Sequence, residues 1–429
     1  MVRSRVLVVS QDSVGERMAG PAIRAYELSR ALAAEHEVVL GTRHAPTRAG
    51  DGFEVRAYGT ELRDLCRRSD VVVAFGRLLA DHPEVRRCDA AIVADLYDPA
   101  PFEALVQHAR GSSDRRWLAA RDARRVLDAQ LDRGDLFLCA STRQRDLVTG
   151  MLTVRGRVNP ATFDADPSLD ELVAVVPFGL PADAPRSSGA RPLHGTAAPF
   201  GDGDLAVLWG GGVYDWLDPT TLIDAVARAD ERIKVFFMGG PHPTPGVGVT
   251  TMRDRATERA SELGLLGTRV VFADEWVPYD ERADYLLDAD VGVSLHRRHL
   301  ETRYAFRTRV LDYLWAGLPI VCTDGDVVAE LVAERSLGTV VPPADVPALT
   351  GALEAMLDED VRARAAAASA AAADELTWDT VAAPLVDFCR APRRAPDRAP
   401  GSARRRRKVE TRAGISEAID ALRRRLRPR

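Results

Sequence analysis

Two long stretches of the chain each alternate short, continuous apolar runs with helical stretches, and few folds accept that rhythm twice in 429 residues. The first stretch carries runs at Val6–Val9, Val38–Leu40, Val71–Phe75, Ala91–Ala94, Leu136–Ala140 and Val173–Pro177. They do not alternate apolar with polar, which suits strands buried on both faces of a parallel sheet. Helical stretches separate several of them, notably Arg115–Leu131. The rhythm restarts with Leu205–Trp209, Ile233–Met238, Val270–Phe272, Val291–Leu295 and Ile320–Thr323. Helices are expected there over Leu222–Arg228, Arg253–Leu263, Glu281–Ala289, Phe306–Ala316 and Pro347–Leu357. The expected class is α/β: two Rossmann-like, doubly wound domains facing each other across a cleft. Their expected bounds are 1–184 and 204–370, joined by a linker at 185–203 rich in Pro, Gly, Ser and Ala. Residues 371–389 are expected as a helix returning to the first domain.

Charge narrows the ligand. Residues 390–429 hold 15 basic and 4 acidic residues, or +11, so the formal net charge of -5 leaves -16 on residues 1–389. Such a body excludes nucleic acid as the main ligand, because binding phosphates needs a basic face. No window nears the ~18 apolar residues of a membrane-spanning helix. The opening MVRSRVLVVSQDS lacks a signal-peptide core, and the five scattered cysteines form no CxxC or zinc pattern. A cytoplasmic location with reduced thiols is expected. The tail from Arg390 is expected to be disordered, ending in a short basic helix with an apolar stripe from Ile415 to Leu426. With Arg404–Lys408 it permits peripheral contact with an anionic membrane.

Four places hold candidate chemistry. The strand–loop–helix Val6–Leu32 turns at Gly20-Pro21, where a helix N-terminus favours an anion or forms an ordinary βα turn. It is not GxGxxG, which argues against a dinucleotide-dependent oxidoreductase. Gly210-Gly211-Gly212 follows a strand and allows close backbone approach by a ligand. The third segment, Ser294–Val321, is dense in basic side chains, including Arg303, Arg307 and Arg309. Arginines at a helix N-terminus oppose its dipole unless an anion sits there, which favours a diphosphate. Asp312 lies one to two turns into that helix, placed to accept hydrogen bonds from ribose hydroxyls. The fourth place is Asp95 to Asp98, at a strand's carboxyl end, where a carboxylate can orient a hydroxyl or act as a base, or Asp98 can cap a helix. Three Asp-x-Asp pairs (Asp288/Asp290, Asp324/Asp326, Asp358/Asp360) fit chance in an Asp-rich chain, and no metal is assigned.

These segments together resemble the GT-B glycosyltransferases, most closely the retaining family 4 group. The phrases that carry the resemblance are VLVVSQDS with AGPAIRAYELSRALAAEHEVVL, VVPFGLP at Val175–Pro181, VLWGGGVYDWLDPTTLIDA, VFADEWVPYDERADYLLDADVGVSL and TRVLDYLWAGLPIVCTDGD. The match runs over about residues 4–385. The resemblance implies metal-independent, retaining transfer of a sugar from a nucleotide-sugar to a glycan or lipid-linked acceptor, in cell-surface polysaccharide or glycolipid synthesis. It implies a donor site of Gly20, Gly211, Gly212, Trp276, Val277, Glu301, Arg303, Phe306, Arg309 and Asp312. Asp95 and Arg307 are then the catalytic pair, and Arg24 and Asp98 hold the acceptor. The chain departs from the family pattern. The first of two glutamates falls on Tyr304, with Glu301 nearby as a substitute, and the second on Asp312. The family's Arg and Lys fall on Gly212 and Leu217, and its acceptor-side histidine on Asp95. The alternative these departures open is a GT-B-like partner protein in polysaccharide assembly that has lost its chemistry.

Overall fold

The carboxyl ends of two parallel sheets face one another in the computed structural model, which describes residues 3–244, 251–399, 401, 402 and 411. The first sheet has seven strands: β1 (Arg5–Ser10), β2 (Glu37–Thr42), β3 (Glu54–Ala57), β4 (Val71–Phe75), β5 (Ala91–Asp95), β6 (Leu136–Cys139) and β7 (Val173–Val175). Their order is β3-β2-β1-β4-β5-β6-β7. Strand β1 pairs with β2 through Val6–Val38 and with β4 through Val6–Val71, so the chain changes direction across the sheet at β1/β4. The second sheet has six: β8 (Leu205–Trp209), β9 (Ile233–Phe237), β10 (Val270–Phe272), β11 (Val291–Ser294), β12 (Ile320–Thr323) and β13 (Gly338–Val341). Its order β10-β9-β8-β11-β12-β13 puts the change at β8/β11. Ligands of doubly wound sheets bind in the crevice outside these two points.

The central strands β1, β4, β5 and β8 are buried along nearly their whole length, as their unbroken apolar runs require. Edge strands β3 and β13 are only partly buried, and neither reads as an apolar run in the sequence. The segment 185–203 is not a free linker. Leu193 and Phe200 are buried, and Asp288 accepts hydrogen bonds from the Leu193 and His194 amides at 2.8 and 3.2 Å.

The chain crosses back to the first domain beside Val176–Pro181. The Leu180 amide donates to the Leu376 carbonyl at 2.9 Å and the Trp378 amide to the Leu180 carbonyl at 3.0 Å. Trp378 is buried against Phe178, with ring centroids 4.9 Å apart. The expected single helix here is two, Trp378–Val381 and Ala383–Arg390, broken where Pro384 removes an amide donor. Tail residues 390–399 differ from the expected disorder: they dock on the first domain. Asp135 accepts from the Ala395 amide and the Arg398 guanidinium, both at 3.1 Å, and Asp397 pairs with Arg157 at 2.6 Å. The basic run Arg404–Lys408 and the stripe Ile415–Leu426 lie outside the described residues. Among the described residues, no helix is long and apolar enough to cross a membrane.

Candidate functional site

Between the two sheets lies a cavity of about 380 Å³. Gly20, Tyr97 and Asp98 reach it from the first domain, and Gly211, Arg309 and Asp312 from the second. It is bounded by direct contacts between the domains. The Tyr279 hydroxyl lies 2.8 Å from Glu27 Oε1, Arg48 pairs with Asp280 at 2.7 Å, and the Trp276 indole donates to the Met18 carbonyl at 3.1 Å. A second cavity of about 440 Å³ opens within the first domain, walled by Phe75, Phe102, Leu127, Leu147 and Met151. Asp12, Asp98 and Glu103 border both cavities, so the two meet at these carboxyl groups.

The glycine bend is built into the second sheet. Strand β8 ends at the fully buried Trp209. The Gly210 amide donates to the Tyr313 hydroxyl at 2.8 Å, and that hydroxyl has the Val293 carbonyl 2.8 Å away as its own acceptor. One tyrosine thus ties β8 and β11 to the helix Arg309–Trp315. Gly211 has φ 72°, a left-handed conformation that glycine adopts without strain. The Gly212 carbonyl accepts from Arg309 Nη2 at 2.9 Å, and the Arg309 guanidinium lies 4.7 Å above the Trp209 ring. Arg309 Nη1 is buried with no hydrogen-bond partner, and no carboxylate pairs with Arg309 among the described residues. Burial lowers its pKa to about 10, so it is still a cation at neutral pH. A buried donor of this kind costs free energy until an acceptor fills the space beside it.

Arg307 behaves differently. Its guanidinium is bidentate on Glu301, at 2.9 and 2.8 Å, and its Nε is 3.7 Å from Asp326. Asp326 in turn meets His296 Nε2 at 3.1 Å and caps the helix Val327–Glu334 through the Val328 and Ala329 amides. Burial first, and Arg307 second, push the His296 pKa down to about 2, so this imidazole is neutral. The whole network is buried. The expected helix Phe306–Ala316 starts late, at Arg309, and runs to Trp315; before it a separate short helix, Leu300–Tyr304, ends at extended Ala305. That break turns Arg307 toward Glu301 and Arg309 toward the glycine bend.

Residues 206–359, most of the second domain, match the family model for glycosyl transferases group 1. Over these residues the second domain is similar to the glycosyl transferases group 1 family. Sucrose-phosphate synthase from Thermosynechococcus elongatus superposes with a TM-score of 0.65 at 18% identity, over 90% of this chain and 98% of that one. HepE of Anabaena, in complex with UDP and glucose, gives 0.63 at 13% identity over 91% and 100%. An α,α-trehalose-phosphate synthase from Burkholderia xenovorans, with glucose-6-phosphate, gives 0.64 at 12% identity over 90% and 100%. No curated protein matches the chain in sequence. The architecture is therefore the GT-B fold.

Within that fold the sequence-expected residues separate into two groups. Gly20, Gly211, Gly212, Trp276, Val277, Phe306, Arg307, Arg309 and Asp312 line the cleft, and Asp98 faces both cavities. Asp312 has a side chain 41% exposed and lies 3.4 Å from Arg282 Nε; burial by the protein around it raises its pKa. Four expectations need correction. Glu301 is buried and its carboxylate is taken by Arg307, so it cannot stand in for a donor-binding glutamate. Arg303 is exposed and does not line the cleft. Arg24 and Asp95 pair at 2.7 Å with both side chains fully buried, which closes them to an acceptor.

Two of the departures from the family pattern, Tyr304 and Leu217, are filled by packing. Tyr304 stacks on Phe102 of the other domain, centroids 5.6 Å apart, and its carbonyl accepts from Gln144 at 2.6 Å. Leu217 is buried and bridges to His296. Sequence reasoning missed Asp12 and Glu103 as site groups. Burial pushes the Asp12 pKa up to about 6 and that of Asp98 up to about 7, and raises that of Glu103 well above the carboxylate range. Asp12 stands just after β1 at the switch point, a position that marks it in retrospect.

Proposed function

We propose that the chain is a glycosyltransferase that moves a sugar from a nucleoside-diphosphate sugar to a hydroxyl of an acceptor held in the first-domain cavity. The observation that carries this reading is Arg309, a half-buried cation with a buried, unpartnered Nη1 and no paired carboxylate among the described residues, standing beside a glycine bend that leaves backbone room for a ligand. The diphosphate lies between Gly210–Gly212 and Arg309. Asp312 accepts from the ribose, and Trp276 and Val277 border the base. HepE has been solved with UDP-glucose, which supports this donor class.

In the reaction the bond from the anomeric carbon to the diphosphate oxygen breaks and a bond to the acceptor oxygen forms on the same face, with retention. The acceptor proton leaves on the nucleoside diphosphate. Arg309 stabilises the charge that develops on the departing phosphate, the electrostatic term that contributes most to such steps. The reading includes no metal ion. Asp98, rather than the sealed Asp95, orients the acceptor hydroxyl, while Asp95 fixes Arg24 and Arg307 fixes Glu301 as positioning residues. The acceptor is a glycan or a lipid-linked sugar, in surface polysaccharide or glycolipid synthesis.

Calorimetric titration with UDP, GDP and dTDP tests the donor site. One of the three is expected to bind the wild-type chain and to lose affinity in Arg309→Ala. Equal affinity in both proteins removes the site. Turnover with the matching nucleotide-sugar then separates an enzyme from a GT-B protein that binds a donor without transferring it.

A further inference from the structure

The helices Ala100–Gln107 and Ser113–Arg133 pack against each other on the first domain. Their inner sides wall the acceptor cavity through Phe102, Glu103, Val126 and Leu127. Their outer side is unlike a solvated surface. Trp117 is 75% exposed, Leu118 56% and Leu105 46%, three of the eight exposed large hydrophobic side chains among the described residues.

Around them stand Arg110, Arg115, Arg116, Arg121 and Arg124, all exposed. None of the five forms an ion pair among the described residues. Nearby Arg77 and Arg125, by contrast, are both locked onto Asp81 and Asp122. Residues 108–124 carry five arginines and two aspartates, 5 - 2 = +3, within a body of charge -16. Trp117, Arg121 and Arg124 recur at spacings of four and three, which places them on one helix face.

We infer that this helix pair is a contact surface for a bilayer carrying anionic phospholipids. Arginines meet the lipid phosphates, and the indole and leucines enter the boundary between headgroups and acyl chains. A nucleic acid would satisfy the arginines but would leave the leucines in water. With the cavity directly behind the helices, an acceptor resident in the membrane has a short path to Asp98; that last step rests on the sugar-transfer reading, whereas the surface itself does not.

The test uses the full-length chain and vesicles of phosphatidylcholine, with or without phosphatidylglycerol. Sedimentation with the anionic vesicles is expected, and much weaker association with the neutral ones. Arg121→Glu/Arg124→Glu is expected to weaken partitioning roughly tenfold or more. Trp117→Ser/Leu118→Ser is expected to weaken it as well, and Trp117→Phe to remove a blue shift in tryptophan emission on vesicle addition. All these side chains are exposed, so the thermal midpoint stays unchanged. Partitioning equal to wild type in both double variants overturns the inference and leaves the basic tail as the membrane contact. It is overturned equally if the arginine variant loses binding to a short single-stranded RNA while keeping vesicle binding. Nucleotide affinity measured on the same variants is expected to be unchanged, which keeps failure of the surface distinct from failure of the donor site.

Discussion

The Arg24 guanidinium stands 2.7 Å from the Asp95 carboxylate, and neither side chain is exposed. Its remaining donors reach the Val176 and Pro177 carbonyls at 2.8 and 2.9 Å, so one arginine joins the helix after β1, the end of β5 and the crossing between domains. Burial raises the Asp95 pKa while Arg24 opposes the rise. Removing one partner strands a buried charge at a cost of about 3–5 kcal/mol, whereas replacing both with apolar groups is close to neutral. Arg24→Met is therefore expected to lose that much stability in thermal or urea unfolding. Arg24→Met/Asp95→Leu is expected to regain most of it.

Arg307 and Arg309 are two residues apart and should fail in opposite ways. Arg309 lines the cleft and has no carboxylate partner among the described residues, and each charge-assisted hydrogen bond contributes about 1.5–3 kcal/mol. Arg309→Ala is expected to weaken nucleoside-diphosphate binding roughly 10- to 150-fold, with little change in thermal midpoint. Arg307→Ala leaves Glu301 buried without its bidentate partner and is expected to destabilise the second domain by about 3–5 kcal/mol. Calorimetry and thermal unfolding on both variants separate the two roles.

The fold was legible where strands lie at the centre of a sheet, because burial on both faces demands an unbroken apolar run. Edge strands β3 (EVRA) and β13 (GTVV) were missed, since each is only partly buried and makes no such demand. The glycine bend and Arg309 could be read from their place after β8 and before a helix. What could not be read was which charges find one another. Glu301 and Arg307 are six apart, a spacing that says nothing until the chain breaks at Ala305 and folds them together. Arg24 and Asp95 are 71 residues apart, one inside the helix Gly20–Ala33 and one at the end of β5, and both are flanked by apolar residues. Asp98 and Asp95 share one motif, and only packing decides that the Asp95 side chain is sealed onto Arg24 while Asp98 stays exposed where the two cavities meet.

The Asp98 carboxyl should set a pH dependence. Although Asp98 is exposed toward the cavities, desolvation by the protein walls around it, with Tyr97 opposing and Asp95 adding, raises its pKa to about 7. The folded chain thus holds a proton that the unfolded chain releases near pH ~4, an effect that solvent around the exposed carboxyl keeps small. Stability contributed by this group therefore falls as pH rises from about 4 to about 7 and is flat above. Asp98→Asn is expected to raise the thermal midpoint at pH values above 7 and to leave it unchanged below the unfolded value. If the carboxylate orients the acceptor, turnover of the wild type rises with pH through about 7, and the Asn variant is slower and lacks that rise. A pH profile that keeps the same limb in Asp98→Asn assigns it to another group.

Gly239 and Gly150 give the last prediction, because the same substitution should act with opposite sign. A Cβ on Gly239 would overlap the Gly211 carbonyl oxygen and the Gly212 Cα, all backbone atoms that cannot swing aside. Gly239→Ala must push the glycine bend away from the sheet. Overpacking of this kind costs about 1–3 kcal/mol, and the displaced bend is expected to cost about tenfold in nucleoside-diphosphate affinity. Gly150 sits in the helix Thr142–Val154, where an added Cβ meets nothing within 4 Å. There alanine improves helix propensity by up to about 1 kcal/mol, so Gly150→Ala is expected to raise the thermal midpoint and leave nucleotide affinity untouched. Should Gly239→Ala bind nucleotide as well as Gly150→Ala, the bend does not hold the diphosphate, and the donor would have to lie elsewhere in the cleft.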